Sequence, residues 1–154
     1  MKPIARMAIA VTLGLTTIGL ATSAQAAMMK KKSPWTVNQT MDKVQAVLKK
    51  AGLTVFTRID HAAGAKKAGM KLRPTQLILF GNPKAGTVLM NVNQSIGIAL
   101  PMKMLVWKDA EGAVWLGYQQ PGDLAKAYGI PADHKVIKGM TGALNKLSGA
   151  ALKK

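Results

Sequence analysis

Leu77-Ile-Leu-Phe-Gly-Asn-Pro-Lys-Ala-Gly-Thr-Val88 is the stretch whose reading decides the fold. The run Leu77 to Phe80 is apolar without interruption, which reads as a strand in the interior of a sheet. Pro74 falls at the beginning of that strand, where a missing backbone donor is tolerated. The strand runs into Gly81-Asn82-Pro83-Lys84-Ala85-Gly86, a turn in which the two glycines accept backbone conformations closed to other residues and Pro83 adds stiffness. A helix is expected to begin at Thr87 and run to Ser95. Its first amides, beside Lys84, would form an anion seat. The spacing is not that of a Walker loop, because the glycine pattern and the Lys-Ser/Thr pair are missing. A tight turn with no ligand at all is the plain alternative, since Gly, Asn and Pro are turn residues first.

The segments before it supply a helix, a strand and a second short helix. Thr36-Val-Asn-Gln39 has the form of a capping box, and Val37, Met41, Val44 and Leu48 then recur at helical spacing up to a glycine, Gly52, suited to a left-handed C-terminal cap. Met28 and Met29 precede this helix on what is either a truncated edge strand or a tail. Leu53 to Ile59 alternates Leu53, Val55, Thr57 and Ile59 against Thr54, Phe56 and Arg58, the period of a strand. That strand ends at Asp60-His61, where Asp60 suits the N-cap of the Ala-rich run His61 to Ala68. The same pair has a chemical reading: a histidine beside a carboxylate that sets its tautomer can transfer a proton or contact a ligand.

The segments after it predict a hairpin and two more helices. Met102 to Trp107 and Ala113 to Tyr118 read as antiparallel strands joined through Asp109-Ala-Glu-Gly112. Met102 and Met104 share a face by the period of two, which suits core filling first and a copper(I) site second. Trp107, Trp115 and Tyr118 are read as packing residues that could line a pocket. Asp123 to Tyr128 predicts a short helix. The segment 132–154 predicts a longer amphipathic one, with Val136, Met140, Leu144, Leu147 and Ala151 on its apolar face. Three glycines and the lack of an aromatic on that face favour docking on the sheet over lying on a membrane.

The N-terminus gives a compartment. Lys2 and Arg6, the apolar run Met7 to Ala21 and the small residues Ala24-Gln25-Ala26 form a secretory signal peptide over 1–26, expected to be cleaved near Ala26/Ala27. No later segment is long and uncharged enough to span a bilayer, so the expected product is a periplasmic or secreted single domain over 27–154. It has no cysteine, which excludes disulfides, thiolate catalysis and thiolate metal sites. With two histidines in the whole chain, no metal or cofactor is expected. Of 22 Lys plus Arg, Lys2 and Arg6 lie in the leader, leaving 20 basic against six acidic residues and a formal charge of +14. Such a surface attracts polyanions. In an exported protein these are anionic envelope surfaces before nucleic acid, and solubility alone is the simpler account of the lysines.

The runs Gly52 to Ala65, Leu72 to Thr87 and Leu100 to Trp107, with Tyr118, resemble the domain-of-unknown-function family 302. The likeness covers about Ser33 to Ile130 and is carried by Ile-Asp-His-Ala-x-x-Ala and Phe-Gly-Asn-Pro-x-x-Gly-Thr. It implies an α+β domain, a small mostly antiparallel sheet covered by helices, often as a homodimer, and it implies no activity. The segment Met28 to Lys32 departs from the family's expected edge strand. With both motifs at strand ends, Asp60, His61, Asn82, Lys84, Gly86 and Thr87 are expected to converge on one crevice holding a small anionic or polar ligand, with Phe56 or Phe80 as an apolar wall. The preferred function is an exported binding or interaction module. A small hydrolase or isomerase using Asp60 and His61 as acid and base is the alternative, and attachment of the basic protein to anionic envelope surfaces is a third. Ser33, Ser95 and Ser148 lack a nucleophile-elbow context.

Overall fold

Four short segments of apolar or alternating character, with the lysine-rich Met28 to Ser33 at one edge, pair into one sheet in the structure, a computed structural model that describes residues 28–154. The signal peptide and its cleavage point lie outside the described residues. In chain order the elements are β1 (Met28–Ser33), α1 (Val37–Lys50), β2 (Thr54–Asp60), α2 (His61–Lys67), β3 (Thr75–Gly81), α3 (Pro83–Val92), a 3-10 turn (Gln94–Ile98), β4 (Met102–Lys108), β5 (Val114–Gln119), α4 (Pro121–Ala127) and α5 (Lys135–Leu152). The sheet order is β1-β5-β4-β3-β2, and every neighbouring pair is antiparallel. The result is an α+β single domain, with β3 interior as its apolar run requires.

Met28 to Ser33 is a full edge strand paired with β5, so the departure from the family pattern costs no strand. It joins α1 through a chain of buried hydroxyls. The Trp35 amide donates to Ser33 Oγ, Ser33 and Thr40 hydroxyls lie 2.7 Å apart, and Thr40 Oγ1 donates to the Thr36 carbonyl at 2.8 Å. Since the Thr40 proton is spent on Thr36, Ser33 must be the donor to Thr40, and both hydroxyls are satisfied. The predicted capping box is present on Thr36 and Gln39, and Gly52 takes φ +71 behind the helix. The apolar stripe Val37, Met41, Val44 and Leu48 is buried against Ile78, Phe80, Met104, Val106 and Leu116. This is one face of the sheet.

Four expectations are corrected. The alternation of β2 breaks at Phe56, where a register shift between Val55 and Thr57 leaves Phe56 unpaired and 55% exposed; a bulge has inserted one residue on that edge. The helix after β3 begins at Pro83 and not at Thr87, because Asn82 caps it and proline is pre-organised for the first helical position. Likewise α4 begins at Pro121. Lastly, α5 is buried through Ile137, Leu144, Ser148 and Ala151 and packs mainly beside α1 and α4, with fewer contacts to the strands than docking on the sheet implies.

Candidate functional site

Because β2 and β3 are antiparallel, Asp60 lies opposite Gln76 at one end of the sheet and Thr54 lies opposite Gly81 at the other. Six residue steps separate Asp60-His61 from the start of β2 beside the Asn82 to Thr87 segment, roughly 20 Å of strand. The single crevice expected from the sequence is therefore not formed. The strand end that carries the first motif and the strand end that carries the second point in opposite directions, and the sheet stands between them.

At the Asp60 end the side chains are tied to one another. Asp60 Oδ1 accepts from the Ala63 amide at 2.8 Å as the N-cap of α2, and its Oδ2 accepts from Gln76 Nε2 at 3.2 Å. Gln76 is buried; the same Nε2 donates to Asn38 Oδ1 at 2.6 Å, and its Oε1 accepts from Arg58 Nε at 3.1 Å and Nη2 at 2.6 Å. Arg58 Nη1 completes the set with an ion pair to Asp42 on α1. A hollow of about 500 Å³ opens here between α1, α2 and the Met70 to Pro74 loop. Its central polar atoms already have partners, so they hold α1 to β2 and β3. His61, exposed as the first residue of α2, makes no hydrogen bond to Asp60, whose two oxygens are engaged elsewhere. The hub, Gln76, escaped the sequence reading. Its signal was a polar side chain with the same strand parity as Ile78 and Phe80, so that burial demanded partners.

At the Gly81 end the chain forms a half-open apolar cavity of about 420 Å³. The end of β3 and start of β4 form its floor through Phe80 and Met102, α3 lines one side through Gly86 and Met90, and α5 closes another through Met140, Leu144 and Leu147. Leu53, Phe56, Leu100 and Pro101 fill the rim. Phe56 and Pro101 stand beside Gly81, and Leu100 beside Gly86, at distances where a Cβ would make ordinary contact, 3.6 Å and 3.7 Å. The polar groups are few. Asn82 and Thr87 line the cavity, while Lys84 is exposed on the first turn of α3 and does not.

The expected anion seat is already filled by the protein itself. Asn82 Oδ1 accepts from the amides of Lys84 at 3.0 Å and Ala85 at 3.4 Å, the donors a bound anion would need. Thr87 Oγ1 donates to the Pro83 carbonyl at 2.8 Å and keeps lone pairs to accept from a ligand. A cavity of this size, mostly apolar with one or two polar groups at its lining, has the anatomy of a small-molecule site. Sequence reasoning missed the contribution of α5, because nothing local tells which strand end a distant amphipathic helix will roof.

The methionines separate in the same way. Met104 is buried in the core, Met102 reaches the cavity, and Met28 and Met29 are exposed on opposite faces of the edge strand, so neither pair assembles a ligand set. No group of three His, Cys, Asp or Glu gathers among the described residues.

The fold and the two motif ends define a class, the small α+β domain with an all-antiparallel five-stranded sheet. A crystal structure of an uncharacterised conserved protein of the same kind from Bacillus stearothermophilus superposes with a TM-score of 0.67 at 21% identity, covering 81% of this chain and 94% of that one. The family model "Domain of unknown function DUF302" matches residues 29–147, and the chain belongs to that family. The chain is also 45% identical over 119 residues to proteins named fluoride-specific ion channel FluC 1 from Brucella suis and Brucella abortus. The match takes in 75% of this chain but 47% and 44% of theirs, so it spans less than half the length of these curated relatives. No helix among the described residues is long and apolar enough to cross a membrane.

Proposed function

We propose that the domain is a binding module whose cavity at the Gly81 end takes a small, mainly apolar ligand, with Asn82 and Thr87 reading one polar group on it. The observation that supports this is the cavity itself: about 420 Å³ lined by Phe80, Met90, Met102, Leu144 and Leu147, with the backbone amides that would have drawn an anion already capped by Asn82. The reading keeps the binding module expected from the sequence and changes the chemistry of its ligand. We place its action in the periplasm or outside the cell on the strength of the leader-like residues 1–26. Channel activity is not carried over from the Brucella proteins. We take the shared segment to be a module that those longer chains also carry.

Titration with a homologous series of medium-chain alcohols and fatty acids, read by native mass spectrometry, tests the proposal. Saturable binding of one molecule, lost by about tenfold or more in Ala143→Phe, is the expected result, since a ring there takes up volume the ligand needs. Ala143 lines the cavity yet is exposed, so the change leaves the fold intact. Binding that is indifferent to Ala143→Phe, or its absence across the series, would defeat the assignment.

A further inference from the structure

Strands β3, β4 and β5 carry apolar residues on both faces, while buried side chains occupy only one. By the register, Leu77, Leu79, Leu105, Trp107 and Trp115 share the face opposite Ile78, Met104 and Leu116. None of the five is fully buried, though continuous apolar runs belong to strands covered on both sides. The outer face is therefore built for a partner.

Its charges say which kind. Lys30 and Lys32 of β1 point to this face, and Lys30 Nζ lies 5.1 Å from the Trp115 ring centroid. Lys103 shares the face but donates to the carbonyls of Ala99 and Pro101, which ties it down. No Asp or Glu stands on this face among the strand residues, and Asp109 in the β4–β5 turn is engaged with the Trp115 indole. A second copy docked here by a two-fold axis that sets β1 over β1 would bring lysines against lysines, a like-charge pairing that interfaces use to reject partners. Pairing along the sheet edges is also opposed, by the lysines of β1 and the bulge of β2.

We propose that this sheet face seats on an anionic phospholipid surface, with Trp107 and Trp115 at the headgroup boundary and Lys30 and Lys32 against headgroup phosphates. Indole rings favour that boundary because one end is apolar and the other carries an N–H. Lysine stems cover apolar surface while their ammonium groups reach the charge.

Cosedimentation with vesicles of phosphatidylcholine alone and of phosphatidylcholine with 30 mol% phosphatidylglycerol tests it. The full chain is compared with Lys30→Glu/Lys32→Glu, so that residues 1–27 contribute equally to both. The expected result is binding that needs the anionic lipid, falls with salt, and drops about tenfold or more on the double reversal. In a Trp35→Phe background the remaining fluorescence comes from Trp107 and Trp115, and brominated lipid should quench it. Equal binding to neutral vesicles, insensitivity to the reversal, or unquenched tryptophans would overturn the proposal. So would self-association that shields the two tryptophans, or capture by an acidic protein without any vesicle binding.

Discussion

The two ends of the sheet use the same device, a strand running directly into a capped helix, and reach opposite results. At the end of β2, Asp60 caps α2 and then hands its second oxygen to Gln76, so the cap becomes part of a lattice that holds α1, β2 and β3 together. At the end of β3, Asn82 caps α3 and nothing comparable surrounds it; α5 and the Leu100 to Met102 segment stand off and leave a cavity. A cap satisfies the first amides of its helix in either setting. What differs is the neighbourhood: a buried glutamine on β3 with partners on α1 and β2 closes one end, and aliphatic side chains with no partner to reach for leave the other open.

That contrast can be broken from either side. The largest effect is expected at the open end, where Leu144→Ala removes a buried side chain that also roofs the cavity. A loss of about 3 kcal/mol in denaturant unfolding is expected, with a larger apolar ligand newly accommodated. If the stability loss were small, the roof would be loosely packed and the cavity poorly defined. Next is Gln76→Ala, which strands Arg58, Asn38 and one oxygen of Asp60 together; about 2 kcal/mol should be lost, without change in ligand binding 20 Å away. Coupled loss of binding would show that the ends are not independent.

Asp60→Ala should cost about 1 kcal/mol, the ordinary worth of an N-cap. His61→Ala, at an exposed position, should leave stability within about 0.5 kcal/mol. A ligand or substrate whose turnover collapsed in His61→Ala would revive acid–base chemistry at the closed end, and the pair of variants separates that outcome from simple unfolding.

The smallest effect concerns pH. Asp109, in the β4–β5 turn at the closed end, accepts from the Trp115 indole at 2.6 Å and the Ala113 amide at 2.7 Å. The indole hydrogen bond foremost, then the backbone amides of Ala113 and Glu111, hold its carboxyl below the usual carboxylate value against the opposing pull of burial. A group with a lowered folded value contributes stability above its unfolded value and loses it as pH falls through the folded one. Acid unfolding followed by tryptophan fluorescence should therefore show a shallower acid limb in Asp109→Asn. An unchanged limb would mean that the turn, like other exposed polar contacts, adds nothing measurable.

Several elements were legible because their signals are local. The capping box at Thr36 and Gln39, the glycine after α1, the Asp60 cap and the β4–β5 hairpin depend on neighbours within a few residues, and each stands where the residues put it. The two helix starts, expected at Thr87 and Asp123 and found at Pro83 and Pro121, have one cause: Asn82-Pro83 and Gln120-Pro121 carry proline at the first helical position, and turn and helix start share that residue type. Phe56 was legible as apolar and not as a bulge, since the extra residue is defined only against its partner strand.

The sequence alone determined the class of the domain, its family, its caps and the face of α1 that is buried, because periodicity and capping act over one or two turns of chain. Only the tertiary structure decided that Asp60 and Asn82 lie at opposite ends of a sheet, that Gln76 ties one end shut, and that α5 roofs a cavity at the other. Those outcomes depend on strand direction and on contacts between residues far apart in the chain, up to the span from Leu53 to Leu147 around one cavity. The stretch Leu77 to Val88 thus leads to a cavity, but its companions are the apolar residues of β4 and α5 and not the histidine of the neighbouring strand.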